Sequence, residues 1–246
     1  MHYRPQSTTP PVVKNLLIIN FFFFAATIIL GIKGFDLIHM LGLHHPQSNL
    51  FRPWQVVTHF FMHGGLMHIG FNMFGLWMFG RYLEMIWGGR RFLFFYTVTA
   101  FSAALLHFLV VHYQVQQIAV TLDPEVLNKV LREGSDLILR GRNYTDPTLH
   151  QLNSLINGPV VGASGALFGL LGACYILFPN TRLMLLFPPI PIKLKYFVTF
   201  YGLYELYRGL QNAPGDNVAH FAHLGGLIAG IIIVKYWNRT KRDSFF

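Results

Sequence analysis

Charge and cysteine are what this 246-residue chain has least of. Only 12% of its residues are charged and ten are acidic, a composition that few soluble domains share. Its single cysteine, Cys174, excludes an internal disulfide, and its place within an apolar run gives it a packing role. No HExxH zinc-protease signature and no internal repeat occurs. What the chain has in quantity is apolar surface: 53% of the residues are hydrophobic, gathered in long, nearly uncharged runs that read as transmembrane helices. The net charge of +9 would suit a nucleic-acid binder. Much of the Lys and Arg, however, lies at the ends of the apolar runs, where membrane topology calls for it. Nucleic acid is therefore set aside, and the bilayer is the expected surrounding.

A short polar segment, residues 1–15, precedes a first apolar run over 16–32. That run is long and lacks a clear small-x-small cleavage site, so it reads as a membrane helix and not a signal peptide. Residues 33–61 mix Gly, Pro and His with short apolar patches and predict a structured loop, with Trp54 as an interfacial anchor. Second and third membrane helices are predicted over 65–87 and 92–111. A polar insert, 114–157, holds five of the ten acids. Asp123-Pro124 and Asp146-Pro147 signal helix starts there, and Leu149, Leu152, Leu155 and Ile156 recur at helical spacing. Amphipathic helices resting on the bilayer or on the protein follow. Asn143-Tyr144-Thr145 fits a glycosylation sequon, a triplet common by chance. A fourth helix is predicted over 160–178. The proline run Pro188-Pro189-Ile190-Pro191 then keeps the connection non-helical. The fifth segment, 194–210, is interrupted by Lys195, Glu205 and Arg208, and the sixth runs over 218–237 before a basic tail, 238–246.

Six spans with the amino terminus inside put twelve of the nineteen Lys and Arg on the inner side. The asymmetry predicts both termini in the cytoplasm. The starts of the second, fourth and sixth helices then all lie toward the outer leaflet, and each carries polar residues. Ser164 needs a base to become a nucleophile, and histidine is the side chain suited to that near neutral pH. His223 is the candidate base, with His220, one turn earlier, as the lesser one. Gly226 and Gly230 share the His223 face, while Gly165, Gly169 and Gly172 line the helix beside the serine. Small residues at that spacing let two membrane backbones approach closely, though they pack many helix pairs with no catalytic purpose. His68 and Asn72, four apart, face one way from the second helix and could serve as donors to an oxyanion. His63 is read as a brace that bonds loop backbone. No carboxylate stands where a third member would orient His223. Asp216 lies seven residues away, about 10 Å, and is read as a boundary residue, so a dyad is expected. The remaining histidines receive no role.

The set His63-x4-His68-x3-Asn72, Gly162-x-Ser164-Gly165 and Ala222-His223-x-Gly225-Gly226-x3-Gly230, in that order on helices two, four and six, resembles the rhomboid intramembrane serine proteases. The resemblance implies an all-α membrane protein, a six-helix bundle over 16–237 with the 114–157 insert between helices three and four. It also implies an outward-facing aqueous cavity and transmembrane protein substrates cut near the outer membrane boundary. Ser164 would be the nucleophile and His223 the base, with His68, Asn72 and the Ser164 amide around the oxyanion and Gly162 permitting close approach. No cofactor or metal is required. The location implied is a bacterial inner membrane. Two positions depart from the family pattern: Gln55 follows Trp54 where arginine is usual, and Phe168 replaces a tyrosine, keeping the ring beside the base. Two other classes stay open, an inactive rhomboid-like protein that binds membrane helices and a histidine-bearing transporter.

Overall fold

The computed structural model describes residues 9–184, 189–211 and 218–242. Eleven α-helices, one 3-10 turn, one π turn and one short antiparallel hairpin make up the regular structure among them.

At one end lie the start of α1 (Pro11–Ile32) and the finish of α5 (Arg81–Trp87). α1 begins earlier than the expected residue 16, because Pro11 opens it and the Glu84 carboxylate accepts hydrogen bonds from the Val12 and Val13 amides at 2.9 and 2.7 Å. A first helical turn has no internal partners for those amides, and the acceptor comes from more than seventy residues away. The same end gathers the start of α6 (Gly89–Ala119) and the finish of α11 (His220–Arg242). There the Arg91 guanidinium lies 3.9 Å from the Trp237 ring, which also packs edge-on against Trp87. Tryptophan and arginine together suit a membrane boundary.

α5 continues α4 (Leu66–Gly75) through a π turn at Leu76–Gly80, so one helical rod covers the predicted second span. α6 is 31 residues long, about 46 Å at 1.5 Å per residue. It runs past the expected end at residue 111 because nothing from Gln114 to Gln117 breaks a helix. Its extension carries Val111 and Val115 into a second small core with Val130, Leu152 and Ile156. These last three come from α7 (Pro124–Leu139) and α8 (Pro147–Asn157), the two helices of the insert. The insert thus rests on the protein itself. Within it Asn143, the sequon residue, donates to Ser154 Oγ and accepts from Asn153, each at 2.8 Å, and so serves as an internal brace.

α9 (Ser164–Leu177) and α11 form the centre of the main core. Between α9 and α10 (Leu194–Gln211) the chain makes a hairpin of β1 (Arg182–Met184) and β2 (Pro191–Lys193). Pro188, part of the proline run, and Asp216 lie outside the described residues. Three of these helices are long and apolar enough to cross a membrane, α1, α6 and 220–240 of α11, while α9 is apolar but has only 14 residues.

The first loop folds around α2 (Leu37–Leu41), α3 (Gln55–Thr58) and a 3-10 turn, His59–Phe61. Gln55, where the family pattern favours arginine, is fully buried. Its amide nitrogen donates to the Leu50 carbonyl at 2.9 Å, and its oxygen accepts from the Arg52 amide at 3.1 Å. A neutral amide therefore braces this loop with donor and acceptor alike. Leu43 then pairs with Val160 through two backbone hydrogen bonds of 2.9 and 2.8 Å, tying the loop to the stretch that enters α9.

Candidate active site

The entry to α9 is shaped by Gly162. Its φ of +123° lies in the region that favours glycine, and its amide donates to the His59 carbonyl at 2.9 Å. A Cβ there would lie 2.8 Å from His68 Nε2, so only glycine leaves room between the His68 ring and Ser164. Two residues on, Ser164 opens α9, where its amide belongs to the first turn and has no intrahelical acceptor. Burial lowers the pKa of His59 to about 4, so this loop imidazole is neutral as it bonds the Gln55 carbonyl at 2.7 Å.

Ser164 Oγ lies 2.8 Å from His223 Nε2. Glycine makes this approach possible: a Cβ on Gly226 would collide with the Gly165 carbonyl, one on Gly230 with the Gly169 carbonyl, and one on Gly172 with the Leu227 carbonyl. α9 and α11 consequently touch backbone to backbone. Gly225 does the same toward α6, where a Cβ would sit 2.9 Å from the Ser102 carbonyl oxygen. Gly172, Gly226 and Gly230 therefore share one interface with the Ser-His pair, while a Cβ on Gly165 or Gly169 would meet Ala103 or Thr99 of α6. Phe168, one turn into α9, stacks on the His223 ring with centroids 4.3 Å apart and planes 5° from parallel. The phenylalanine at this position thus does the packing for which the tyrosine hydroxyl is not needed.

His68 and Asn72 lie on α4. The His68 Nδ1 accepts from the Gly64 amide at 3.4 Å. This leaves Nε2 to carry the proton toward the gap beside Gly162. Asn72 donates one amide hydrogen to the His68 carbonyl at 2.8 Å and has a second to offer. His63 is nearly fully buried, with its ring edge-on to His68 at 5.0 Å and Nδ1 3.3 Å from the Phe61 carbonyl. Behind Ser164 a cavity of about 20 Å³ is walled in part by His59, His107 and Gly162, roughly the size that admits one water.

One side chain departs from the expectation of a bare dyad. Glu205 of α10 is buried, and its Oε2 lies 2.9 Å from His223 Nδ1 and 2.6 Å from His220 Nδ1. His220 therefore faces the carboxylate, while His223 reaches both it and the serine. No spacing along α11 points to this carboxylate, because it arrives from the neighbouring helix α10. Its signal was present nonetheless: an acid within an apolar segment, spaced with Val198 and Gly209 on the buried face of α10. Glu205, His220 and His223 also form a cluster whose ligand-type atoms lie within 4.8 Å of one another. The 2.6 and 2.9 Å separations are hydrogen-bond lengths, so shared protons account for the arrangement.

The rhomboid domain profile matches residues 50–239, most of the chain and all the candidate site residues. The chain belongs to the rhomboid family. Similar relatives include a mitochondrial rhomboid protein 1 of Saccharomyces cerevisiae, 28% identical over 73% of this chain and 40% of its own length. The rhomboid protease GlpG of Serratia proteamaculans is 24% identical over 87% of this chain and 59% of its own. The rhomboid protease GluP of Bacillus subtilis is 23% identical over 78% and 27%. The chain thus spans less than two thirds of the length of each relative. Rhomboid membership, together with three helices fit to cross a bilayer, makes this an integral membrane protein.

Proposed function

We propose that this rhomboid protein is an intramembrane serine endopeptidase that cuts transmembrane proteins near the outer boundary of the membrane. The observation that carries the reading is the 2.8 Å contact between Ser164 Oγ and His223 Nε2 across a glycine-packed helix pair. His223 takes the serine proton as Oγ attacks the substrate carbonyl carbon, giving a tetrahedral intermediate with a negatively charged oxygen. The His68 Nε2 proton, the second Asn72 amide hydrogen and the Ser164 amide surround that oxygen. As the intermediate collapses the peptide C–N bond breaks, and His223 passes its proton to the leaving amine. A water then attacks the acyl-enzyme, giving its proton to His223 and forming the new acid as Ser164 regains its hydrogen.

Helix lengths support a site sunk below the surface. A 14-residue α9 is about 21 Å long, whereas the hydrocarbon core is about 30 Å thick. With the α9 carboxyl end at the inner boundary, Ser164 sits several ångströms beneath the outer one. The six spans of this reading are α1, the α4–α5 rod, α6, α9, α10 and α11. The excess of Lys and Arg on the inner side supports both termini on the cytoplasmic side. A substrate helix has to unwind to present its bond, which favours small or helix-breaking residues near the cut.

The deciding experiment incubates purified protein in detergent with a single-span substrate and compares wild type with Ser164→Ala and His223→Ala. Wild type is expected to cleave, and both variants to lose about three or more orders of magnitude in rate. Cleavage unaffected by Ser164→Ala would overturn the assignment.

A further inference from the structure

We propose that Glu205 positions His223: it selects the imidazole tautomer that leaves Nε2 open to Ser164 and holds the imidazolium formed during attack. The inference rests on the protease reading for its kinetic consequence and on geometry for the rest. Glu205 Oε2 is within 2.9 Å of one imidazole nitrogen and 2.6 Å of another, and only 2% of the residue is exposed. A carboxylate this deep is costly unless its charge is met by hydrogen bonds. Here two Nδ1–H groups, three residues apart on α11, donate to the same oxygen. With its Nδ1 committed as a donor, neutral His223 keeps the Nε2 lone pair, and Nε2 is the atom facing the serine hydroxyl.

The other groups around His223 do not substitute for the carboxylate. His68 approaches from α4 and His107 from α6, and Tyr201 lies beside Glu205 on α10. α9 contributes the Ser164 hydroxyl and the Phe168 ring. Among these described side chains none but Glu205 is an anion, so the positive charge that His223 gains during attack has one near counterpart. His220 acts through it, holding Oε2 from the far side. The site then reads as Ser164, His223 and Glu205 in sequence, with His220 as the carboxylate's own support. The third member arrives on a different helix from the base.

The test has two arms. In ¹⁵N-histidine-labelled protein, NMR should find His223 protonated at Nδ1 and bare at Nε2 in the wild type, with Glu205→Gln shifting it toward the opposite tautomer. In cleavage assays, Glu205→Gln should lower kcat about 10²- to 10⁴-fold while KM moves less than threefold. Glu205→Asp should recover at least about tenfold of that loss, which a merely structural role would not restore. Should Glu205→Gln not fold, His220→Asn serves instead, with an expected fall of about fivefold to tenfold. An unchanged tautomer in the variant, or a kcat within threefold of wild type, would overturn the inference and leave the protease reading standing on Ser164. A wild type with the stated tautomer but no cleavage would overturn the protease reading alone.

Discussion

The α9–α11 interface and the α10 helix bring their parts of the site together in opposite ways. Along α9 and α11, Gly172, Gly226 and Gly230 press main chain against main chain, and an added carbon on any of them meets a carbonyl of the partner helix. Along α10 the buried residues are only Leu194, Val198, Glu205 and Gly209, while Tyr196, Phe200, Leu203, Tyr204, Tyr207 and Leu210 point outward. The difference teaches where precision resides. The bond between Ser164 and His223 rests on contacts with no slack, whereas the carboxylate that orients the base hangs from a helix held by few side chains.

Substitutions can break or sharpen that contrast. The largest effect is expected from Gly226→Ala, whose new methyl meets the Gly165 carbonyl. It should cost about 3 kcal/mol or more by overpacking and abolish cleavage by parting serine from histidine. Thermal unfolding in detergent alongside the cleavage assay checks both, and a variant with wild-type values would show the interface to be compliant. A middle effect is expected where the two regions meet, at Phe168, which stacks on His223 and lies 4.8 Å from the Tyr201 ring of α10. Phe168→Leu keeps most of the volume, so stability should fall by less than about 1.5 kcal/mol. Activity should drop about tenfold as the imidazole loses its flat support, read as kcat at saturating substrate. The smallest effect belongs to Gly202→Ala. Its added carbon meets only the end of the Leu227 side chain at 3.0 Å, and it should change melting and rate within experimental spread. A large loss there would place α10 among the tightly packed elements.

Much of this arrangement was legible in the residues. Glycine at intervals of four and seven announces close helix contact whatever the helices do, so the serine and histidine could be paired before their distance was known. Gly162 could be recognised by its place beside the serine, although its positive φ belongs to the folded backbone. What the residues did not announce came from distant segments. Glu205 reaches His223 from 18 positions away, and no local spacing rule connects them. Gln55 stands where arginine is usual, and its partners are invisible until the loop carbonyls around it are in place. The run-on of α6 was hidden because Gln114, Gln116 and Gln117 are polar yet good helix formers. There polarity marks departure from lipid, and the helix itself does not end.

The attachment of α1 to Glu84 bears on how this protein is made. When α1 first enters the bilayer, the Val12 and Val13 amides have no acceptor, since the residue that will receive them has yet to be synthesised. That end lies at the membrane boundary, where water and headgroups meet the two amides until Glu84 takes their place. The two hydrogen bonds that join the first span to α5 therefore form only after Glu84 has been made.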